Sequence, residues 1–180
     1  MTRQETGIIM DILTTAYPAF YASKRAPDVR MTLSLWAEMF ADDDVAQVSA
    51  AVKALIATKT DSYPPSIGAV KDKLYKLKHP VEMTEQEAWA HVERAIRNSA
   101  YNSEREFDRL PKAVKDIVHH PAQLKAWAMM DEGTVQSVVA SNLQRSYRAS
   151  VSADREADML PTDVKELTSR LSLALSAVNR

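Results

Sequence analysis

Three short runs hold residue types that do chemistry, and each also has a plainer role. Asp42-Asp43-Asp44 gathers three carboxylates, the donors that hard divalent cations take. A calcium loop also needs a glycine at its turn and a distal glutamate, and neither completes the pattern here. At a helix start such a run satisfies orphan amides and complements the dipole, which is the role expected of it. Lys71, Lys73, Lys76 and Lys78 carry the charge to meet a phosphate, but on the polar side of an amphipathic helix they read as a solvated face. His119-His120 offers two imidazoles. Neighbours on a helix point about 100° apart and do not chelate one ion, so these read as partners of a helix C-terminus.

The remaining catalytic vocabulary is missing. The histidines His79, His91, His119 and His120 form no HExxH, and the chain has no GxGxxG, GxxxxGK or GxSxG. With no cysteine there is no disulfide, thiolate ligand or thiol nucleophile. The expectation is a protein that acts by binding, without catalysis, cofactor or metal.

The elements that position these residues are expected to be helices alone. Three glycines in 180 residues are too few for the turns of a sheet protein, and good helix formers dominate. With 46% hydrophobic and 26% charged residues the chain has enough apolar side chains for real cores. The net charge of −1 gives no bulk attraction to nucleic acid. No apolar run approaches the roughly 20 residues that span a bilayer, and the N-terminus lacks a signal-peptide core. A cytoplasmic, membrane-free protein is expected.

Thr2 with Glu5 forms a capping box for a helix over 3–17, with Ile8, Ile9, Ile12, Leu13 and Ala16 on one face. Pro18 ends it. A second helix follows Pro27, with Met31, Leu35, Trp36, Met39 and Phe40 as its stripe, and a third carries Val45, Val48, Val52, Leu55 and Ile56. Tyr63-Pro64-Pro65 stops the third. Ser66 caps a fourth, with stripe Ile67, Val70, Leu74 and Leu77. After a linker at 79–83, Thr84 with Glu87 opens a helix burying Ala88, Trp89, Val92 and Ile96. A break is expected at 98–102, with Ser103 and Glu106 as a further capping box. Short helices start at Pro111 (Val114, Ile117, Val118) and Pro121 (Leu124, Trp127, Ala128). A turn at Gly133 then leads into a helix with Val135, Val138, Val139, Asn142 and Leu143 on its stripe. Residues 149–158 read as a flexible connector before a last helix bearing Val164, Leu167, Leu171, Leu175 and Val178. Three segments result: 1–78, 84–149 and 150–180.

The first segment resembles the helical N-terminal domain of phage helicase loader/inhibitor proteins. The resemblance rests on Glu5-Thr6 opening an apolar helix, Ala16-Tyr17-Pro18-Ala19-Phe20, Leu35-Trp36-Ala37-Glu38-Met39-Phe40, residues 45–54, and the stop Tyr63-Pro64-Pro65-Ser66-Ile67. The second segment resembles a downstream region of phage and prophage replication proteins. It does so through Glu87-Ala88-Trp89, Ala95-Ile96-Arg97-Asn98, Tyr101-Asn102-Ser103, Glu106-Phe107, Leu110-Pro111, residues 124–130 and Ser141-Asn142-Leu143-Gln144-Arg145-Ser146-Tyr147-Arg148. The resemblance covers 5–77 and 85–150. It implies a factor that binds and restrains the hexameric replicative helicase and helps deliver it to origin DNA through an origin-binding protein.

Two modes of action are open at this level. In an adaptor, Trp127, Met129 and Met130 form an adaptable apolar contact surface, although Trp127 also fits a core position. The last helix, through Leu167 and Leu171, has the spacing to dock in a partner's groove. In a helix-turn-helix-like DNA binder, residues 124–130, the turn at Gly133 and the following helix present Gln136, Ser137, Gln144, Arg145 and Arg148 to bases or phosphates. Asp131 and Glu132 put negative charge at that turn, so helicase binding leads and DNA contact is secondary.

Overall fold

Thr2 accepts the Glu5 amide at 3.2 Å while the Glu5 carboxylate takes the Thr2 amide at 2.7 Å, and this box starts helix α1 (Arg3–Ala16). The molecule is seen here in a computed structural model that describes residues 1–80 and 82–178, with side chains described to residue 175. Val81 of the expected linker and the Val178 side chain of the expected stripe fall outside these limits. The fold is all-α: among the described residues there is no strand. None of the described helices is long and apolar enough to cross a membrane. The chain divides into two compact units, Met1–Pro80 with Arg155–Arg180, and Val81–Asp154.

In the first unit Pro18 both ends α1 and opens a short helix α2 (Pro18–Ala22). Helix α3 (Ala26–Met39) begins one residue before Pro27 and leaves the proline in its first turn. Asp44 caps α4 (Val45–Thr58) by accepting the Ala46 and Gln47 amides, and Ser66 caps α5 (Ile67–Lys78) through the Ala69 amide. The core joins Ile9 and Leu13 of α1, Trp36 and Phe40 from α3 and its end, Val48 and Val52 of α4, and Val70 and Leu74 of α5. Trp36 and Phe40 stack with ring centroids 5.3 Å apart.

Two stripes differ from their sequence reading. On α3 the buried face runs through Val29, Leu33, Trp36 and Phe40, so Met31 (73% exposed) and Leu35 (51%) point outward. On α5 Leu77 is exposed, whereas Lys71 and Tyr75 are buried beside Val70 and Leu74. Both helices carry more apolar residues than one face holds, and neighbouring helices select the covered set.

The lysine cluster is not a solvated face. Lys71 Nζ lies 2.6 Å from Asp43 Oδ2 and 4.8 Å from the centre of the Phe40 ring, and both members of the pair have side chains under 9% exposed. Lys78 reaches the other Asp43 oxygen at 3.0 Å, and Lys76 pairs with Asp72 at 3.0 Å. Burial on its own would push the Asp43 carboxyl up, but the hydrogen bonds from Lys71 and Lys78 outweigh it and hold the group below its ordinary range. The aspartate run thus divides its work between a helix cap at Asp44, a buried ion pair at Asp43 and a second cap at Asp42.

That second cap serves the C-terminal helix α11 (Thr162–Val178), whose first amide, from Thr162, donates to Asp42 at 2.8 Å. The bond holds the Asp42 carboxyl low. Residues 149–158, expected to be a flexible connector, lie within a continuous helix α10 (Ala140–Met159). No glycine or proline interrupts them, alanine is frequent, and packing decides in favour of helix. In the first unit Arg155 pairs with Asp72 and sits over the Tyr75 ring, and Asp158 lies 3.8 Å from His79.

The second unit begins with the capping box of Thr84 and Glu87, which starts α6 (Glu85–Asp108). The expected break is a kink at Asn102 (φ −127°, ψ 31°) inside one helix, and Glu106 turns to Arg109 at 2.9 Å. α7 (Lys112–Val118) and α8 (Pro121–Ala128) follow. Between them His119 adopts φ 64°, ψ −44°, and the His120 amide donates to Val118 O at 2.8 Å, which closes a γ-turn. The histidines therefore make the joint: His119 turns the chain, and His120 Nδ1 accepts the Ala122 amide to cap α8. A γ-turn of this sign is strained for any residue with a Cβ. His119→Gly, at an exposed site, should raise stability by about 1 kcal/mol in urea melts; an unchanged or lower midpoint would show that the turn is unstrained.

The expected turn at Gly133 lies earlier, at Met129–Met130. Asp131 caps the next helical turn, α9 (Glu132–Thr134), by accepting the Thr134 amide, and Gly133 is inside it. A π-helical segment, Val135–Val139, leads into α10. Val135, Val139, Leu143 and Tyr147 are all buried at four-residue spacing. Four residues overshoot an α-turn, and the wider π-turn takes up the excess. Val138 and Asn142, read as part of the stripe, are turned out to solvent.

Candidate functional site

The residues expected to meet a partner fall into two sets on separate units. In the second unit Trp127 and Met130 line a small recess of about 290 Å³ with Ile117, Val138, Asn142 and Leu143. Trp127 is half-buried there, so its indole is partly core and partly recess wall. Met129 is 75% exposed, and Met130 and Val138 are about half exposed. The methionines sit at the joint between α8 and α9, where Asp131 holds the cap and leaves them outside the core. The recess is apolar, shallow and bordered by flexible thioethers, the makeup of a contact surface that takes an aliphatic or aromatic side chain.

The polar side chains of the same unit are less available. Arg148 grips Glu85 in a two-bonded pair at 2.5 and 2.6 Å, which holds the Glu85 carboxyl low. Tyr147 donates to Met83 O at 2.9 Å beside it, so α10 clasps the start of α6. Gln136 donates to Glu93 at 2.7 Å. Gln144 is half-buried and Arg145 exposed. Of the side chains a helix-turn-helix would offer to DNA, Gln136 and Arg148 are engaged within the unit. The glycine expected at the turn lies inside a helix. That arrangement does not support the DNA-reading outline.

In the first unit Leu167 (57% exposed) and Leu171 (54%) lie on α11 with Leu175 (66%), while Val164 is half-buried near the Asp42 cap. The helix is thus anchored at its start and bare along its leucines.

Sequence reading missed two hollows in this unit. One is an apolar groove of about 530 Å³ between α1 and α4, walled by Ile8, Ile12 and Ile56 with Asp11 and Lys53 at its rim. The other, about 420 Å³, is walled by Phe20, Tyr21, Trp36, Pro64 and Pro65. The signal for the second was present in the aromatic and proline spacing, but only the fold brings the two segments together. Among the described residues no group of three or more His, Asp or Glu side chains converges to hold a metal ion.

These features define an all-α protein with a capped helical first unit that carries several bare apolar surfaces. The family model for the N-terminal domain of the phage helicase loader/inhibitor matches residues 1–71, and this match supports membership of a phage helicase loader/inhibitor family. It ends at Lys71 and so stops short of the second unit. Neither a curated protein nor a solved structure matches the chain.

Proposed function

We propose that the protein is a non-enzymatic replication accessory factor that binds the hexameric replicative helicase, restrains it and helps deliver it to origin DNA through an origin-binding protein. The observation that carries this reading is the family match over residues 1–71. The bare apolar surfaces support an adaptor role, since a protein that works by docking needs uncovered side chains at its contacts. In this reading Trp127, Met129 and Met130 form one contact. Leu167 and Leu171 of α11 form another by the helix-in-groove mode, and Gln144, Arg145 and Arg148 lie toward the rim of the first. The work is done in the bacterial host cytoplasm, where the helicase is, with direct DNA contact secondary.

The test is co-elution of the full chain with the host helicase, together with the helicase's unwinding rate. Co-elution with slowed unwinding is expected. Neither effect at micromolar protein would sink the proposal. The triple variant Leu167→Ser, Leu171→Ser, Leu175→Ser is expected to keep its melting temperature, because these side chains are already in water, and to lose at least tenfold in helicase affinity. A lowered melting temperature with intact binding would make α11 a structural helix.

A further inference from the structure

Helix α6 leaves one aromatic ring almost wholly in water: Tyr101 is 96% exposed, on a helix that buries Ala88, Val92, Ala95, Ile96 and Ser99 on its other side. By helical spacing its neighbours are Arg94 and Asn98, seven and three residues before it, and Arg105, four after it; all are exposed. Arg97 flanks them, and the kink at Asn102 directly follows the tyrosine and exposes the Asn102 amide. From Arg94 to Arg105 the strip runs roughly 16 Å along the helix.

Most carboxylates of α6 are engaged: Glu85 by Arg148, Glu87 by the Thr84 cap, Glu93 by Arg97 and Gln136, Glu106 by Arg109. Glu104 and Asp108 remain as exposed acids toward the far end. Among the described residues no ion pair involves Arg94 or Arg105.

The surroundings select the ligand. An anchor for an apolar protein partner sits in a ring of side chains that keep water out. Tyr101 is bordered instead by guanidinium and amide groups. A flat ring with unpaired cations on either side matches an unpaired nucleobase and its flanking phosphates. Paired bases in a duplex are already stacked and present no free face.

We propose that Arg94, Arg97, Asn98, Tyr101 and Arg105 form a binding strip for single-stranded nucleic acid. A base stacks on Tyr101, and Arg94 and Arg105 hold phosphates. The strip is separate from the recess at Trp127 and from α11, and it stands independently of the helicase reading.

The full chain is titrated into fluorescently labelled dT20, rU20 and a 20-base-pair duplex, each about 20 nucleotides long to cover one strip with room to spare. Binding of a single strand in preference to the duplex is expected, and the two oligonucleotides distinguish DNA from RNA. Tyr101→Ala should weaken binding roughly 5- to 150-fold, the range for loss of one stacked base, while Tyr101→Phe retains it. Arg94→Ala and Arg105→Ala should each lower the slope of log affinity against log salt by about 0.7. No binding to either oligonucleotide overturns the proposal, as does binding that Tyr101→Ala leaves unchanged. Loss of helicase co-elution by Tyr101→Ala without any single-strand binding also overturns it and makes the ring a protein anchor. Helicase co-elution should survive in Tyr101→Ala, so failure of this strip and failure of helicase binding are read separately.

Discussion

Asp43→Ala is expected to destabilise the first unit by about 3–5 kcal/mol, because it leaves the Lys71 ammonium buried without its partner. Lys71 is 6% exposed and lies against the Phe40 ring, so it has little route to water. Asp43→Ala with Lys71→Met removes both charges and should recover most of the loss, since an apolar pair of similar volume is often as stable as a buried ion pair. Urea unfolding of the three proteins measures this directly. A loss below about 1 kcal/mol in the single variant, the size typical of an exposed pair, would show that Lys71 swings out to solvent. The pair also sets an acid limit. Asp43 is held below its ordinary value in the folded protein, so its contribution is complete above the unfolded carboxyl's pKa near 3.9 and is lost as pH falls through the lower folded value. Stability of the wild type should therefore fall more steeply with acid below about pH 4 than that of the double variant.

Trp36→Ala should also cost about 3–5 kcal/mol, the usual penalty for emptying a buried aromatic site. The indole is 6% exposed, stacks on Phe40 and forms one wall of the hollow shared with Phe20, Tyr21, Pro64 and Pro65. Truncation merges the vacated volume with that hollow, and helices held by Phe40, Val48 and Val70 have little freedom to collapse into it. Trp36→Phe keeps the stack and should lose less than half as much. Thermal unfolding that barely moves in Trp36→Ala would identify the indole as an exposed anchor outside the core.

The caps at Thr2, Asp44, Ser66 and Thr84, the proline stops and the all-α class were legible in the sequence, because each depends on residues within one turn of chain. Most buried positions were legible too, from the spacing of Ile9 and Leu13, Val48 and Val52, and Val92 and Ile96. The opening of α2 at Pro18 and the γ-turn at His119 were not, since each answers to what the neighbouring segments require. Of the candidate site, the exposed Met129, Met130, Leu167 and Leu171 were legible as apolar residues with no assured cover. The recess beside Trp127 was hidden because a π-turn re-registers the helix that walls it.

Tertiary structure alone decided which charges are free. Lys71 and Lys78 look on paper like the Arg94 and Arg105 of another amphipathic helix. Yet the first two are held by Asp43, 28 and 35 residues away in sequence, and the latter two face water. Periodicity places a side chain on a face of its own helix, and a distant element determines whether that face is covered or open.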